Sequence, residues 1–139
     1  MHDLQRFVAA QAPIYDQVVT ELRDGTKRSH WMWFVFPQLA GLGHSPAARH
    51  YAIADRAHAL AYLSHPLLNA RLHECAALLN RHGGLTAEQI FGYPDCLKLH
   101  SCLTLFNEVA PDDPVIAQAL QKYFGGEQDQ ATLRLLREA

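Results

Sequence analysis

Apolar side chains recur at helical spacing in most segments of this chain, and this periodicity constrains the fold more than any other feature. The segment from Pro13 to Gly25 is one example. Within it, Ile14, Val18 and Leu22 lie one turn apart and form a single stripe. Proline suits a first helical position, and glycine suits the position after the last turn. The pattern therefore predicts an amphipathic helix that begins at Pro13 and stops at Gly25.

Six further segments show helical patterns, and only short gaps separate them. In one, Thr86 is followed three residues later by Gln89, which is the pattern of a capping box. Asp55 is a candidate cap for another. In chain order the segments are "DRAHALAYLSHP", "PLLNARLHECAALLNRHGG", "TAEQIFG", "PDCLKLHSCLTLFNEVAPDDP", "DPVIAQALQKYFGG" and "DQATLRLLREA". We predict an all-α fold, a single compact bundle of about seven helices that forms one domain over residues 1–139.

The stretch "WMWFVF" is the strongest competing signal. Its ring-rich composition is typical of a strand, but it lacks the alternation of a half-buried strand and has no obvious partner. We interpret it as a buried turn or short helix that leads into a loop. In the "GLGHSP" that follows, Ser45 is a candidate helix cap and Pro46 suits the first helical position.

The composition argues against several classes of protein. Twelve basic and 14 acidic residues give a formal net charge of -2, so the chain lacks the strongly basic balance of a dedicated nucleic-acid binder. No window approaches the roughly 18 apolar residues that span a bilayer, so we expect no membrane partner. The three cysteines are odd in number and form no CxxC pair. This usage favours reduced thiols and a cytoplasmic location.

Three separated stretches of the chain carry a resemblance to a known family. They are "KRSHWMWFVFPQLAGLGHS", "YLSHPLLNARL" and "IFGYPDCLKLHSCLTLF", in this order. They resemble a bacterial family of small helical proteins that is catalogued as domain of unknown function 1810. The resemblance covers nearly the whole chain and implies an all-helical single domain. It implies no activity.

The segment "YPDCLKLHSCLTLF" places two charges on its apolar face. At 100° per residue, Leu99, Cys102 and Phe106 share that face. Asp95 and Lys98 project into the same arc. A buried charge costs several kcal/mol unless it is paired or faces a wet cleft, and a spacing of three residues permits pairing. The pattern is consistent with a structural ion pair at the helix start and with a pocket to which Lys98 presents a cation.

The stretch "GTKRSHWMWFVFPQLAGLGHS" crowds aromatic rings beside Lys27 and His30. Core packing is the default interpretation for such rings, and we assign Trp33 to the core. Trp31 stands next to His30 and close to Lys27, and such a ring wall can hold a nucleobase or sugar beside an anionic group. Gln38 is able to hydrogen-bond a polar ligand or to satisfy local backbone groups.

Arg71 lies at the edge of the apolar face of its own helix. Its side chain either extends along that surface to reach water or clamps a phosphate or carboxylate. No metal site is indicated, although the chain has nine histidines, because it contains no HExxH motif. Cys96 and His100 are four residues apart on one face, but no third ligand is apparent. We therefore predict no metal and no cofactor.

These residues lead to one predicted site and three hypotheses for its function. We expect five side chains to converge on one concavity: Lys27, His30, Trp31, Arg71 and Lys98, with Gln38 as a further ligand-binding candidate. The first hypothesis is a pocket for an anionic, ring-containing, nucleotide-like molecule. If it is an enzyme, a hydrolase fits best, with Asp95 or His30 as acid or base and Lys98 or Arg71 neutralising charge. The alternatives are a non-catalytic module that binds a metabolite through the same residues, and a protein-interaction domain with Trp31 as an exposed hot spot. The oligomeric state stays open.

Overall fold

The computed structural model describes residues 3–139, which form ten α-helices and no β-strand. The predicted all-α class is confirmed. The helices are α1 (Gln5–Gln11), α2 (Tyr15–Asp24), α3 (Met32–Val35), α4 (Pro46–His50), α5 (Arg56–Ser64), α6 (Pro66–Asn80), α7 (Ala87–Phe91), α8 (Asp95–Val109), α9 (Pro114–Phe124) and α10 (Gln130–Glu138). The number exceeds the predicted seven because α1, α3 and α4 are seven residues long or shorter. Such short helices show no repeating apolar stripe.

Side-chain caps mark the start of several helices. Ser45 accepts a hydrogen bond from the backbone N–H of Ala48 at the start of α4. Asp55 accepts one from the N–H of His58 at the start of α5. The predicted capping box of Thr86 and its partner three residues later is present at the start of α7. These caps satisfy N–H groups that have no partner within their helix, and this is why the sequence pattern located the helix starts.

The boundary between α1 and α2 differs from the prediction. Pro13 does not begin a helix but lies in the turn that joins α1 to α2, because α1 extends to Gln11 and α2 starts at Tyr15. The end of α2 follows the prediction, since Gly25 adopts a left-handed conformation there with φ of 76°. Only glycine takes up that conformation without strain.

Helices α6 and α8 form the centre of the bundle. Helix α6 packs against α9, α2 and α5, and α8 packs against α9, α7, α10 and α5. The predicted apolar face of α8 is confirmed, since Leu99, Cys102 and Phe106 are fully buried. Most of the circumference of α8 is covered by neighbours, as expected of a helix at the centre of a core.

The loop between α3 and α4 is tied to the segment before α5. The backbone N–H of Ala40 donates to the carbonyl of Ile53 at 2.8 Å, and the N–H of Ile53 donates to the carbonyl of Gln38 at 3.0 Å. These bonds form an isolated parallel bridge between Leu39 and Ile53, whose side chains are both buried. The main chain at Gln38 is therefore fixed to the core.

Within residues 3–139 every helix is too short or too polar to serve as a membrane span. The same range contains no cluster of three or more His, Cys, Asp or Glu side chains suited to a shared metal ion. The three cysteines are buried and are not joined in disulfides.

Candidate functional site

Asp95, at the start of α8, pairs with two lysines. Its Oδ2 lies 2.9 Å from the Nζ of Lys27, and its Oδ1 lies 3.2 Å from the Nζ of Lys98. The predicted pairing of Asp95 with Lys98 is confirmed. Burial raises the pKa of Asp95, but the hydrogen bonds and charges of Lys27 and Lys98 outweigh this effect and lower the pKa below its usual value. The carboxylate is therefore ionised near neutral pH, and it is poorly suited to donate a proton.

Lys27 is enclosed by protein groups. Its side chain is only 6% exposed, and its Nζ contacts the carboxylate of Asp95 at 2.9 Å. The same ammonium group donates to the carbonyl of Ser29 at 2.5 Å and lies 5.1 Å from the centre of the Trp31 ring. Lys27 therefore balances a partly buried carboxylate and has little surface left for a ligand.

Lys98 pairs with the other oxygen of Asp95 and lies nearer to the protein surface than Lys27. Its side chain is 25% exposed, and Asp95 is its hydrogen-bond partner. The ammonium group lies 5.2 Å from the centre of the Trp33 ring. Lys98 lines two adjoining cavities, and Gln38 lines both as well. Its charge is therefore held at the point where the two cavities meet.

The two cavities differ in size and chemistry. The inner slot, bounded by Trp33, Phe36 and Tyr51, holds about 10 Å³, which is room for about one water molecule. The outer cleft holds about 330 Å³, at the lower end of the range for small-molecule pockets. Its walls combine apolar and polar side chains: Leu42, Pro94, Leu97, His100, Ser101 and Asp129.

Gln38 presents a free amide to these cavities. Its backbone carbonyl is used by Ile53, but its side-chain amide has no hydrogen-bond partner among residues 3–139. Gly43 packs beside it, since a Cβ added at Gly43 would lie 3.2 Å from the Gln38 Nε2. A side-chain amide whose main chain is fixed and whose polar atoms are not used by other protein groups is suited to bind a polar ligand.

The far end of the outer cleft is polar. Ser101 Oγ lies 3.0 Å from Asp129 Oδ2 and donates to it. The Nε2 of His100 lies 2.6 Å from the carbonyl of Glu127, and its ring stacks on Phe124 with centroids 4.2 Å apart. These residues were not predicted as site residues, because Ser101 and Asp129 lie 28 positions apart in sequence. Asp129 is the first residue of the last helical segment in the sequence, so only a role as a helix cap was detectable.

Glu21 is a buried acid that the sequence analysis missed. It is 2% exposed and accepts five hydrogen bonds. The donors are the backbone N–H groups of Arg28 and Ser29, the Ser29 hydroxyl, the Trp31 indole and the Gln17 amide. Burial raises its pKa, but these hydrogen bonds outweigh that effect and lower the pKa to about 2. Its position three residues after Val18, on the apolar stripe of α2, was the signal available.

We predicted that Trp33 lies in the core and that Trp31 lines the site, but the structure shows the opposite arrangement. Trp31 is 0% exposed, and its indole N–H donates to Glu21 at 2.9 Å. It can form neither a ligand-binding wall nor an exposed interaction hot spot in this structure. Trp33 is half-buried and lines the inner slot beneath Lys98. The error has a physical cause, because the four-residue helix α3 is too short for a periodic pattern to show which ring faces the core.

His30 and Arg71 do not join Lys98. His30 is exposed and lines neither cavity. Arg71 lies instead in a cluster with Gln11 and Tyr15, where its Nη1 is 3.4 Å from the Gln11 Oε1 and its guanidinium is 4.6 Å from the centre of the Tyr15 ring. Of the five residues expected to converge, Lys27 and Lys98 meet through Asp95, and the buried Trp31 contacts Lys27 but not the cavities.

The cysteine thiols are poorly suited to nucleophilic chemistry. Burial raises the pKa of Cys75 to about 12 and raises that of Cys102 well above its usual value. Burial also raises the pKa of Cys96. Because the thiolate is the reactive form, all three remain protonated near neutral pH.

Gly43→Ala is expected to lower the free energy of unfolding by about 1–3 kcal/mol, the range for an overpacked site. The added methyl group would lie 2.6 Å from the Ala48 Cβ in α4. This Cβ is attached directly to the backbone, so it cannot move aside as the end of a long side chain can. Urea unfolding measures the change. Gly83→Ala is the matched control, because a Cβ there meets nothing within 4 Å, and it should be neutral or slightly stabilising. Equal stability of the two variants would contradict the packing at Gly43.

Comparisons with known proteins agree with the fold. A family model described as "Protein of unknown function (DUF1810)" matches residues 1–136. The chain is also similar to the conserved hypothetical protein Rv1873 from Mycobacterium tuberculosis, whose crystal structure shares 54% sequence identity and superposes with a TM-score of 0.95. That similarity covers 97% of this chain and 96% of the other. No curated protein matches the chain.

Proposed function

The chain belongs to the DUF1810 family, whose description leaves function open, and we propose that it binds a small anionic molecule in the outer cleft beside Lys98. One observation carries the proposal. The ammonium group of Lys98 is held between the carboxylate of Asp95 and the face of Trp33, at the junction of the two cavities. A cation positioned in this way is able to receive a phosphate or carboxylate.

The charge balance at the Lys98 end of the outer cleft supports an anionic ligand there. Lys27, Asp95 and Lys98 together carry a net charge of +1, because two ammonium groups share one carboxylate. Lys27 is the more enclosed and neutralises Asp95, so the surplus charge lies on Lys98 at the cleft. The free amide of Gln38 adds donors next to it. An incoming anion therefore meets a partly desolvated positive charge.

The cavity sizes support a ring that lies outside the aromatic slot. A slot of about 10 Å³ does not admit a ring, whereas about 330 Å³ in the outer cleft suits a nucleotide-like molecule. There the apolar body of the ligand would rest on Leu42, Pro94 and Leu97. The proposed class is therefore an anionic molecule with a flat apolar portion.

Binding has more support than hydrolysis. The two residues predicted to act as acid or base are poorly placed, since neither Asp95 nor His30 lines either cavity and both oxygens of Asp95 are paired with lysines. We therefore propose binding and assign no reaction.

We also propose a cytoplasmic location. Its support is the presence of three cysteines that form no disulfide.

Lys98→Met tests the proposal, because it removes the charge and keeps an unbranched stem over Trp33. AMP, UMP and inorganic phosphate are the probes, and adenosine and uridine are the uncharged comparisons. We expect the nucleotides to raise the melting temperature of the wild type by mass action, and the nucleosides to have little effect. Titration calorimetry should show at least about a tenfold weaker nucleotide affinity for Lys98→Met, the effect of losing a charge-assisted bond.

Lys122→Met is the matched control. Lys122 is an exposed lysine on α9 whose ammonium group also lies over a ring, that of Tyr123 at 5.9 Å. Its loss should leave nucleotide affinity unchanged. No nucleotide-dependent shift in the wild type, or an affinity that survives Lys98→Met, would refute the proposed function.

A further inference from the structure

Asp129 is a second charged residue that lines the outer cleft, and its hydrogen-bond partner Ser101 lies one turn after Lys98 on α8. Ser101 follows Lys98 by three residues on this helix, and it holds the carboxylate of Asp129 at 3.0 Å. Both Ser101 and Asp129 line the cleft. One turn corresponds to about 5 Å along the axis, so a cationic and an anionic group stand within the span of one small ligand.

The two oxygens of Asp129 differ in their partners. Oδ2 accepts hydrogen bonds from the Ser101 hydroxyl at 3.0 Å, the Thr132 hydroxyl at 2.5 Å and the Thr132 backbone N–H at 3.3 Å. Oδ1 has no hydrogen-bond partner among residues 3–139. Asp129 therefore caps α10 with one oxygen and keeps the other as a free acceptor.

Lys98 and Asp129 do not neutralise each other. Within residues 3–139 the ion pairs of Lys98 include Asp95 but not Asp129. A ligand in the cleft thus meets a donor at Lys98 and an acceptor at Asp129, and the apolar side chains of Leu42 and Leu97 line the same cleft. Such a cleft complements a molecule that has an anionic group at one end and a hydrogen-bond-donating group at the other.

We infer that the ligand carries an amino group opposite its anionic group, and that Asp129 accepts a hydrogen bond from it. This inference rests on the proposed function, because it takes the anionic group to lie at Lys98. Among nucleotides it selects those with an exocyclic amine, and it disfavours those with a carbonyl oxygen at the same ring position. An oxo group would face the Asp129 carboxylate with a lone pair, leaving both acceptors unsatisfied.

The wild-type protein tests this inference with two probe pairs, AMP against IMP and CMP against UMP. Within each pair the phosphate is identical, the exocyclic amino group is exchanged for an oxo group, and the neighbouring ring nitrogen gains a hydrogen. We expect titration calorimetry to give Kd values about tenfold or more lower for AMP and CMP, the effect of one hydrogen bond to a charged group.

Asp129→Asn should reverse this preference. Asparagine is as good a helix cap as aspartate, so its amide oxygen can take the place of Oδ2 towards Ser101 and Thr132. Its NH₂ group then takes the place of Oδ1 and donates into the cleft. IMP and UMP should bind this variant at least as tightly as AMP and CMP. Asp112→Asn, at an exposed position, is the control and should keep the wild-type order.

The outcomes separate the two proposals. Equal Kd values within each pair, with binding that still depends on Lys98, would overturn the role of Asp129 and leave the proposed function standing. An amino preference that persists in Asp129→Asn would overturn it as well. Failure of all four nucleotides to bind would overturn both. The wild-type comparison decides the matter even if the Asp129→Asn variant does not fold.

Discussion

Glu21→Ala is expected to lower the free energy of unfolding by about 4 kcal/mol, because it removes one acceptor of five hydrogen bonds from a buried site. The indole N–H of Trp31 and the backbone N–H groups of Arg28 and Ser29 would lose their acceptor. The Trp31 indole lies too deep for water to replace the carboxylate without rearrangement, since Trp31 is 0% exposed and Glu21 is 2% exposed. Urea unfolding followed by tryptophan fluorescence measures the change.

Glu88→Ala is the control for this prediction, because Glu88 is an exposed glutamate in the first turn of α7. Its loss should change stability by less than about 1 kcal/mol. If the two variants were equally stable, Glu21 would not be the acceptor that organises the segment before α3.

The same carboxylate makes stability depend on pH in the acid range. In the folded protein the pKa of Glu21 is lowered from 4.5 to about 2, so its contribution is complete above about pH 4.5 and is lost as the pH falls towards 2. The lowered pKa corresponds to about 3 kcal/mol at neutral pH. The stability difference between wild type and Glu21→Gln should therefore shrink between pH 6 and pH 2.5. A constant difference would show that the charge is not the stabilising element.

Lys27→Met is expected to lower the free energy of unfolding by about 2–4 kcal/mol, slightly less than the cost of removing one partner of a fully buried ion pair. The 6% exposed ammonium group holds Asp95 and the Ser29 carbonyl, and neither atom gains a new donor from methionine. Asp95 keeps its ion pair with Lys98, and this remaining pair limits the loss of stability. Thermal and urea unfolding both report the change.

Lys98→Met is the matched variant on the same carboxylate. We expect it to cost less than about 1 kcal/mol, because Lys98 is more exposed and Asp95 keeps its shorter contact to Lys27. The contrast separates a lysine that supports the fold from a lysine that is free to bind a ligand. Equal losses from the two variants would argue against that division.

Sequence reasoning succeeded where the determinants were local. The caps at Ser45, Asp55 and Thr86 each act on the N–H group three residues later, so the spacing alone identified them. The pairing of Asp95 with Lys98 was predictable for the same reason, since both lie on one turn of α8. Helix α1 escaped prediction because its seven residues are too few to show a repeating apolar stripe.

The site was less predictable because its walls come from distant segments. The outer cleft joins the loop at Gln38, the helix at Lys98 and the cap at Asp129, and no periodic pattern links these positions. The presence of a ring beside a lysine was foreseeable, but the identity of the ring was not. Trp31 turned inward because Glu21, ten residues earlier, accepts a hydrogen bond from its indole.

The parallel bridge between Leu39 and Ile53 has a consequence for the entropy of ligand binding. A loop that orders only when its ligand arrives weakens binding by the conformational entropy it loses at that step. Here the Gln38 carbonyl already accepts a hydrogen bond from the N–H of Ile53. The loop is therefore ordered when the protein folds, before any ligand binds. Only the few side-chain torsions of Gln38 remain to be restricted by a ligand. The amide N–H groups of Ile53 and Ala40 should then exchange with solvent at nearly the same slow rate in the free and the nucleotide-bound protein.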